Sequence, residues 1–168
     1  MSMAAILLNG TSSSGKTSIA RAIQKISPVP FLHASVDAFT DMFDWDVIGG
    51  ELWEECDRAG VSIFHRALPA LLSSRFPVVI DHVLQEAQWH QECRDALRGH
   101  RVLSVGVHCP LEILRERERT RGDRGIGLAE YQYPRVHHYG PYDLELDTSR
   151  SSPEECARRI LEAFSAVV

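Results

Sequence analysis

The run Gly10-Thr11-Ser12-Ser13-Ser14-Gly15-Lys16-Thr17 satisfies the spacing G-x-x-x-x-G-K-[ST] at every fixed position. No other feature restricts the fold as strongly, because the pattern works only where a strand hands over to a helix. Its glycines let successive backbone N–H groups turn inward around a phosphate without a Cβ clash. The helix that follows adds unpaired N–H donors and the positive end of its dipole. Both flanks are present. An apolar run, Ala4 to Leu8, ends in Asn9-Gly10, and Ile19, Ala20, Ile23 and Ile26 recur at helical spacing over 16–26 until Ser27-Pro28. A chance match in a serine-rich turn would lack this setting. Residues Gly10 to Thr17 are therefore expected to bind the phosphates of a nucleotide, with Lys16 reaching the β- and γ-phosphates and Thr17 ligating Mg²⁺.

The rest of the chain continues the alternation. Strands are expected over 31–36, 77–81, 101–108 and 143–147, and helices over 61–73, 86–97, 110–122 and from Pro153 onward. The last helix opens with Ser152-Pro153-Glu154-Glu155, a cap residue, a first-position proline and two first-turn acids. This order predicts an α/β fold of the P-loop NTPase, kinase-like type. A central five-stranded parallel sheet carries helices on both faces. A single domain is expected over residues 1–168, with an arginine-rich lid at about 115–140 and an acceptor-pocket excursion at about 38–60.

Composition narrows the partners. The formal net charge of −5 argues against an extended nucleic acid, whose binders carry a basic footprint. No apolar run approaches the roughly 20 residues needed to cross a bilayer, and the first residues lack a signal-peptide pattern. Cys56, Cys93, Cys109 and Cys156 form no metal-ligand spacing and read as reduced thiols. A cytoplasmic protein acting on a small molecule is expected, with its oligomeric state open.

Ligands of open α/β sheets bind beyond the carboxyl ends of the strands. Asp81 ends the run Val78-Val79-Ile80 and is read either as a Mg²⁺ ligand or as a solvated strand-end acid. Asp37 follows the second strand and is read either as the base for an attacking hydroxyl or as a helix cap. Phe39, Phe43, Trp45 and Trp53 in the acidic excursion either line an acceptor pocket or pack locally, and Asp41, Asp44 and Asp46 read as solvated acids. Arg115, Arg117, Arg119, Arg121 and Arg124 fall within ten residues. Arg117, Arg121 and Arg124 share one helical face and are candidate nucleotide contacts, Arg121 and Arg124 also as catalytic cations beside Lys16. Arg115 and Arg119 read as partners of Glu112, Glu116 or Glu118. The glycines around Arg121-Gly122-Asp123-Arg124-Gly125 suit a closing lid. His137 and His138 read as structural or solvated.

Taken together, Ile6 to Thr17, Ser35-Val36-Asp37-Ala38-Phe39, Val79-Ile80-Asp81-His82-Val83, Arg117 to Arg124 and Val136-His137 with Tyr142 to Thr148 give the chain a family likeness. It resembles the chloramphenicol phosphotransferase family of P-loop kinases. The resemblance implies an ATP-dependent transfer of the γ-phosphate to a hydroxyl, with Asp37 as base and Arg121 and Arg124 as nucleotide contacts. The stretch from Asp41 to Ser62, which would shape the acceptor pocket, is unlike the chloramphenicol enzyme, so the reaction type carries over and the antibiotic does not. Two alternatives stand beside this reading. One is a metabolite, nucleoside or sugar kinase, and the other a nucleotide-binding switch without acceptor chemistry.

Overall fold

The computed structural model describes residues 4–122 and 126–167. Five strands, β1 (Ala4–Asn9), β2 (Leu32–Ser35), β3 (Val78–His82), β4 (Arg101–His108) and β5 (Leu144–Asp147), lie in the order β2-β3-β1-β4-β5. Every neighbouring pair is parallel, as expected. The helices are α1 (Lys16–Ile26), α2 (Asp37–Thr40), α3 (Gly50–Leu72), α4 (Ala87–Ala96), α5 (Leu111–Arg121), α6 (Leu128–Gln132) and α7 (Pro153–Val167).

All six residues of β1 are buried, because its alternating side chains feed two cores. Ile6 and Leu8 pack with Ile19 and Ile23 of α1 and Ile160 of α7. Ala5 and Leu7 pack with Phe64 and Leu68 of α3 and Trp89 and Cys93 of α4. Each fully buried aliphatic side chain contributes about 1.5–3 kcal/mol, so the central strand has little freedom to move. The chain leaves β1 towards β2 on one side and leaves β3 towards β4 on the other. The crevice between the ends of β1 and β3 is therefore the topological switch point, where ligands of such sheets bind. The register pairs Leu8 with Asp81 and Asn9 with His82, so the carboxylate of β3 stands level with the entry to the phosphate loop.

Three local expectations are corrected. The helix expected over 61–73 begins at Gly50. Gly60 is not a break but a crossing point, since a Cβ there would lie 3.0 Å from Thr40 Cα and Cγ2. The exposed first half of α3 is supported by the Arg58–Glu54 pair at 3.1 Å. Strand β3 runs through Asp81 to His82 rather than stopping at Asp81. After Gly122, where the sequence names no helix before Pro153, α6 forms because Glu118 of α5, only 2% exposed, accepts the backbone N–H groups of Gly127 at 2.8 Å and Ala129 at 2.9 Å. No helix of the described residues is long and apolar enough to cross a membrane.

Candidate phosphate and acceptor sites

The phosphate loop bends at two residues in the left-handed region, Ser13 at φ 63° and Gly15 at φ 98°. Gly10 passes so close to β4 that a Cβ would lie 2.5 Å from Val107 O and 2.7 Å from Ser14 Oγ. Ser14 N–H donates to Thr11 O at 3.2 Å, and Lys16 Nζ donates to the same carbonyl at 2.8 Å. The hydroxyls of Ser12, Ser13 and Ser14 are buried and find no hydrogen-bond partner among the described residues. Unpaired buried polar groups of this kind each cost about 1–3 kcal/mol. A polyanion seated in the loop would relieve them, which suits the triphosphate of a nucleotide.

Thr17 and Asp81 meet beside the phosphate loop, and Asp81 is buried rather than solvated. Thr17 Oγ1 donates to Asp81 Oδ2 at 2.7 Å, His33 Nε2 lies 3.4 Å from that oxygen, and Lys16 Nζ lies 4.0 Å from Oδ1. Burial acts against ionisation of Asp81, but His33, Lys16 and Thr17 outweigh it and hold the carboxyl below the usual carboxylate range. A hydroxyl and an ionised carboxylate are hard oxygen donors, the type that holds Mg²⁺ together with waters and phosphate oxygens.

A cavity of about 440 Å³ opens on the outer side of the loop, between Gly15, Ile19, Arg117, Arg121, Thr148 and Pro153. Arg117 is fixed in its wall. Its Nη1 donates to Thr148 Oγ1 at 3.0 Å and to the carbonyls of Ser13 and Ser14, and its Nη2 donates to Thr148 O at 2.8 Å. The guanidinium thus ties α5 and the segment after β5 to the back of the phosphate loop. Arg121 lines both this cavity and the phosphate pocket, and Arg124 lies outside the described residues. Arg119 pairs with Glu116 at 2.6 Å as expected, whereas Arg115 pairs with Glu130 of α6 at 2.7 Å.

On the other side of the loop lies a cavity of about 250 Å³. Its walls include Trp45, Trp53 and Asp57 from the excursion and the start of α3, with Trp89 from α4 and Gln132 from α6. Asp37, the first residue of α2, lines this cavity and the phosphate pocket alike, as do Ser12, Val36 and Val83. The excursion aromatics divide their roles. Trp45 and Trp53 face the cavity, while Phe39 packs edge-on against Phe64 at 5.2 Å. Asp41, Asp44 and Asp46 are exposed, as expected.

Several site residues carry no motif and are visible only in three dimensions. Asn9 accepts Leu84 N–H at 2.8 Å and donates to Val136 O at 2.9 Å, joining three segments at the mouth of the crevice. Gln132 Oε1 accepts Ser12 N–H at 2.7 Å, linking α6 to the phosphate loop. Behind the cavity runs a directed chain. Val83 N–H donates to His82 Nδ1 at 2.7 Å, so the neutral ring carries its hydrogen on Nε2. That hydrogen is donated to His65 Nε2 at 2.7 Å, and His65 Nδ1 donates in turn to Glu92 at 2.9 Å. Burial, then the neighbouring His65, keeps His82 well below the usual histidine range. Isolated histidines in a sequence give no sign of such a chain, although the apolar neighbours of His65 and His82 mark both as interior positions.

The comparisons with known proteins bear on the family and the fold. The model of a family described as chloramphenicol phosphotransferase-like protein matches residues 3–165. A protein of Mycobacterium tuberculosis H37Rv named "Putative O-phosphotransferase" is 32% identical, the alignment covering 96% of this chain and 82% of that protein. The same figures hold for its counterpart in strain CDC 1551. Among solved structures, the APS kinase of M. tuberculosis, in complex with AMPPNP and APS, is similar at TM-score 0.72 and 17% identity, covering 98% of both chains. A sugar kinase from Janibacter is similar at TM-score 0.71 and 17% identity, covering 100% of this chain and 96% of that one. At those identities the likeness shows the P-loop kinase fold alone. The family match spans nearly the whole chain, and the chain belongs to the chloramphenicol phosphotransferase-like family.

Proposed function

We propose that the chain moves the γ-phosphate of ATP to a hydroxyl of a small molecule bound in the tryptophan-lined cavity. The class, a nucleotide-binding O-phosphotransferase acting on a small molecule, follows from the family and from the relatives' name. One observation carries the finer reading. Among the described residues, Asp37 is the carboxylate common to the phosphate pocket and to the cavity of about 250 Å³, so it faces both reactants. Phosphoryl transfer asks little covalent chemistry of a protein and is catalysed by positioning and charge. In this reading Asp37 holds the acceptor hydroxyl and takes its proton as that oxygen bonds to the γ-phosphorus. The bridging P–O bond then breaks and ADP departs.

Lys16 and the loop N–H groups Gly10 to Thr17 hold the phosphates. Thr17 and Asp81 would hold Mg²⁺, whose charge neutralises the phosphate oxygens. Arg121, at the wall of the phosphate pocket, and Arg124 are proposed to bring positive charge to the transferred group as a lid over about 115–140 closes and excludes water. Arg117 is proposed to border the nucleotide through its anchoring of the loop. An ATP-consuming reaction and four free cysteines fit a cytoplasmic setting.

Asp37→Asn keeps the shape and removes the base. Its turnover number should fall by about 10²–10⁴, with ATP affinity unchanged. Steady-state formation of phosphorylated product, with ATP binding followed by calorimetry, measures both. Wild-type turnover in Asp37→Asn would remove this residue as the base.

A further inference from the structure

All three tryptophans of the chain, Trp45, Trp53 and Trp89, line the cavity assigned above to the acceptor. Trp45 and Trp53 stand 5.5 Å apart between ring centroids, and the indole N–H of Trp45 is fixed on Thr40 O at 3.1 Å. Aromatic faces present negative potential and attract cations. The carboxylates of Asp37 and Asp57 line the same space, and its described lining includes no lysine or arginine. The histidine in the wall, His82, is neutral, with both ring nitrogens engaged.

Asp57 shows what this surplus of negative charge does. Burial, then Glu86, pushes its carboxyl above the usual carboxylate range, with Asp37 adding to the shift and the exposed Arg58 opposing it without cancelling it. One more polar atom at the cavity wall lacks a partner: Gln85 Oε1 is a buried acceptor without a donor among the described residues. The cavity therefore holds aromatic faces, two carboxylates and an unmatched amide oxygen, and its described lining carries no cationic side chain.

We propose that the acceptor is an amine-bearing alcohol with a single aromatic or alicyclic ring. Its ring lies against Trp45 and Trp53, its ammonium binds Asp57, and its hydroxyl meets Asp37. An ammonium offers three donors, enough for Asp57 and Gln85 Oε1 together. Its charge offsets the repulsion that Glu86 and Asp37 exert on Asp57, which a carboxylate, sulfate or phosphate on the acceptor would increase. The volume, about 250 Å³, lies just under the range for drug-sized ligands and suits one ring. The proposal rests on the assignment of this cavity as the acceptor site.

Because every tryptophan lines the cavity, intrinsic fluorescence reports its occupancy whether or not chemistry follows. Three matched probes, phenylserinol, N-acetylphenylserinol and N-acetylphenylserine, present the same ring with an ammonium, a neutral amide and a carboxylate. Each is titrated into the full chain with ATP and Mg²⁺, and product is followed by mass spectrometry. Phenylserinol should bind about tenfold or more tightly than its acetylated form, the scale of one charge-assisted hydrogen bond, and the carboxylate should bind weakest. In Asp57→Asn that preference should collapse, with ATP affinity retained. Equal or tighter binding of either acetylated probe, or a preference that survives Asp57→Asn, would overturn the proposal. Selective binding of phenylserinol without any phosphorylated product would sustain the charge reading of the cavity and count against phosphoryl transfer.

Discussion

The two sides of the crevice are built by opposite means. The phosphate side is eight consecutive residues, Gly10 to Thr17, whose work is done by backbone N–H groups and one buried lysine. The proposed acceptor side is assembled from residues between Ser12 and Gln132, drawn from α2, α3, β3, α4 and α6, and its walls are side chains, with Trp53 still 48% exposed. The first is shaped for a group that every nucleotide carries, so its geometry tolerates no change. The second, on the proposed reading, is shaped for whatever is phosphorylated, so it can be altered piece by piece while the fold stands. Substitutions on the phosphate side should therefore abolish function, and those on the acceptor side should retune it.

The largest effect is expected at Gly10. In Gly10→Ala the new methyl group would lie 2.5 Å from Val107 O, a backbone atom of the buried β4 that cannot swing aside. Overpacking of this kind costs about 1–3 kcal/mol, and the loop must open to relieve it. Thermal unfolding with and without ATP separates the two consequences. Gly10→Ala should melt lower than wild type and lose the upward shift that ATP gives by binding the folded state. A wild-type ATP shift in this variant would break the contrast, because it would show a phosphate loop as adaptable as the acceptor wall.

This asymmetry also decides what could be read from the sequence. Lys16, Thr17 and the strand-to-helix frame were legible because contiguous spacing alone defines them. The parallel sheet was legible because β1, β3 and β4 are apolar runs between helices, and Asp81 followed from its place in the third run. Asp57 was not, since it is one acid among seven in the excursion, and only the passage of α3 through Gly60 turns it towards the cavity. The early start of α3 was not legible either, because a glycine at a helix crossing, such as Gly60, looks the same in sequence as one that ends a helix. Gln132 and Asn9 act across more than a hundred residues of chain, at separations of 120 and 127, which no local pattern encodes.

A smaller and more diffuse effect is expected at the tip of β3, which both sides share. His82 and His65 lie below the usual histidine range, burial being the main cause, and burial followed by His108 brings His137 to about 4. In each, the folded state binds a proton less readily than the unfolded chain, whose histidines titrate near 6.5. Stability is therefore fully present above about pH 6.5 and is lost as pH falls below it towards 4. Urea unfolding at about pH 7.5 and about pH 5 should show the lower midpoint in acid. His65→Ala strands the His82 Nε2–H in the core and should cost about 1–3 kcal/mol at neutral pH, while making the acid loss shallower. An unchanged pH dependence in this variant would show that the His82–His65–Glu92 chain does not contribute to it.

The smallest effect on folding, and the sharpest test of the contrast, lies at Gly60. Alanine there gains up to about 1 kcal/mol of helix propensity. Its methyl group, 3.0 Å from Thr40 Cα, asks α2 to give by a few tenths of an ångström. The two contributions oppose each other, and the unfolding midpoint should stay near that of wild type. What moves is α2, which carries Asp37 at its first residue and holds Trp45 through Thr40 O. Gly60→Ala should therefore change the acceptor KM and turnover severalfold, since displacements of this size at a reacting group are felt in rate. The KM for ATP should stay near its wild-type value, because the phosphate loop is anchored on β1, α1 and Arg117 and of α2 only Asp37 borders its pocket. An equal change in the ATP KM would join the two sides into one mechanical unit and remove the distinction between them.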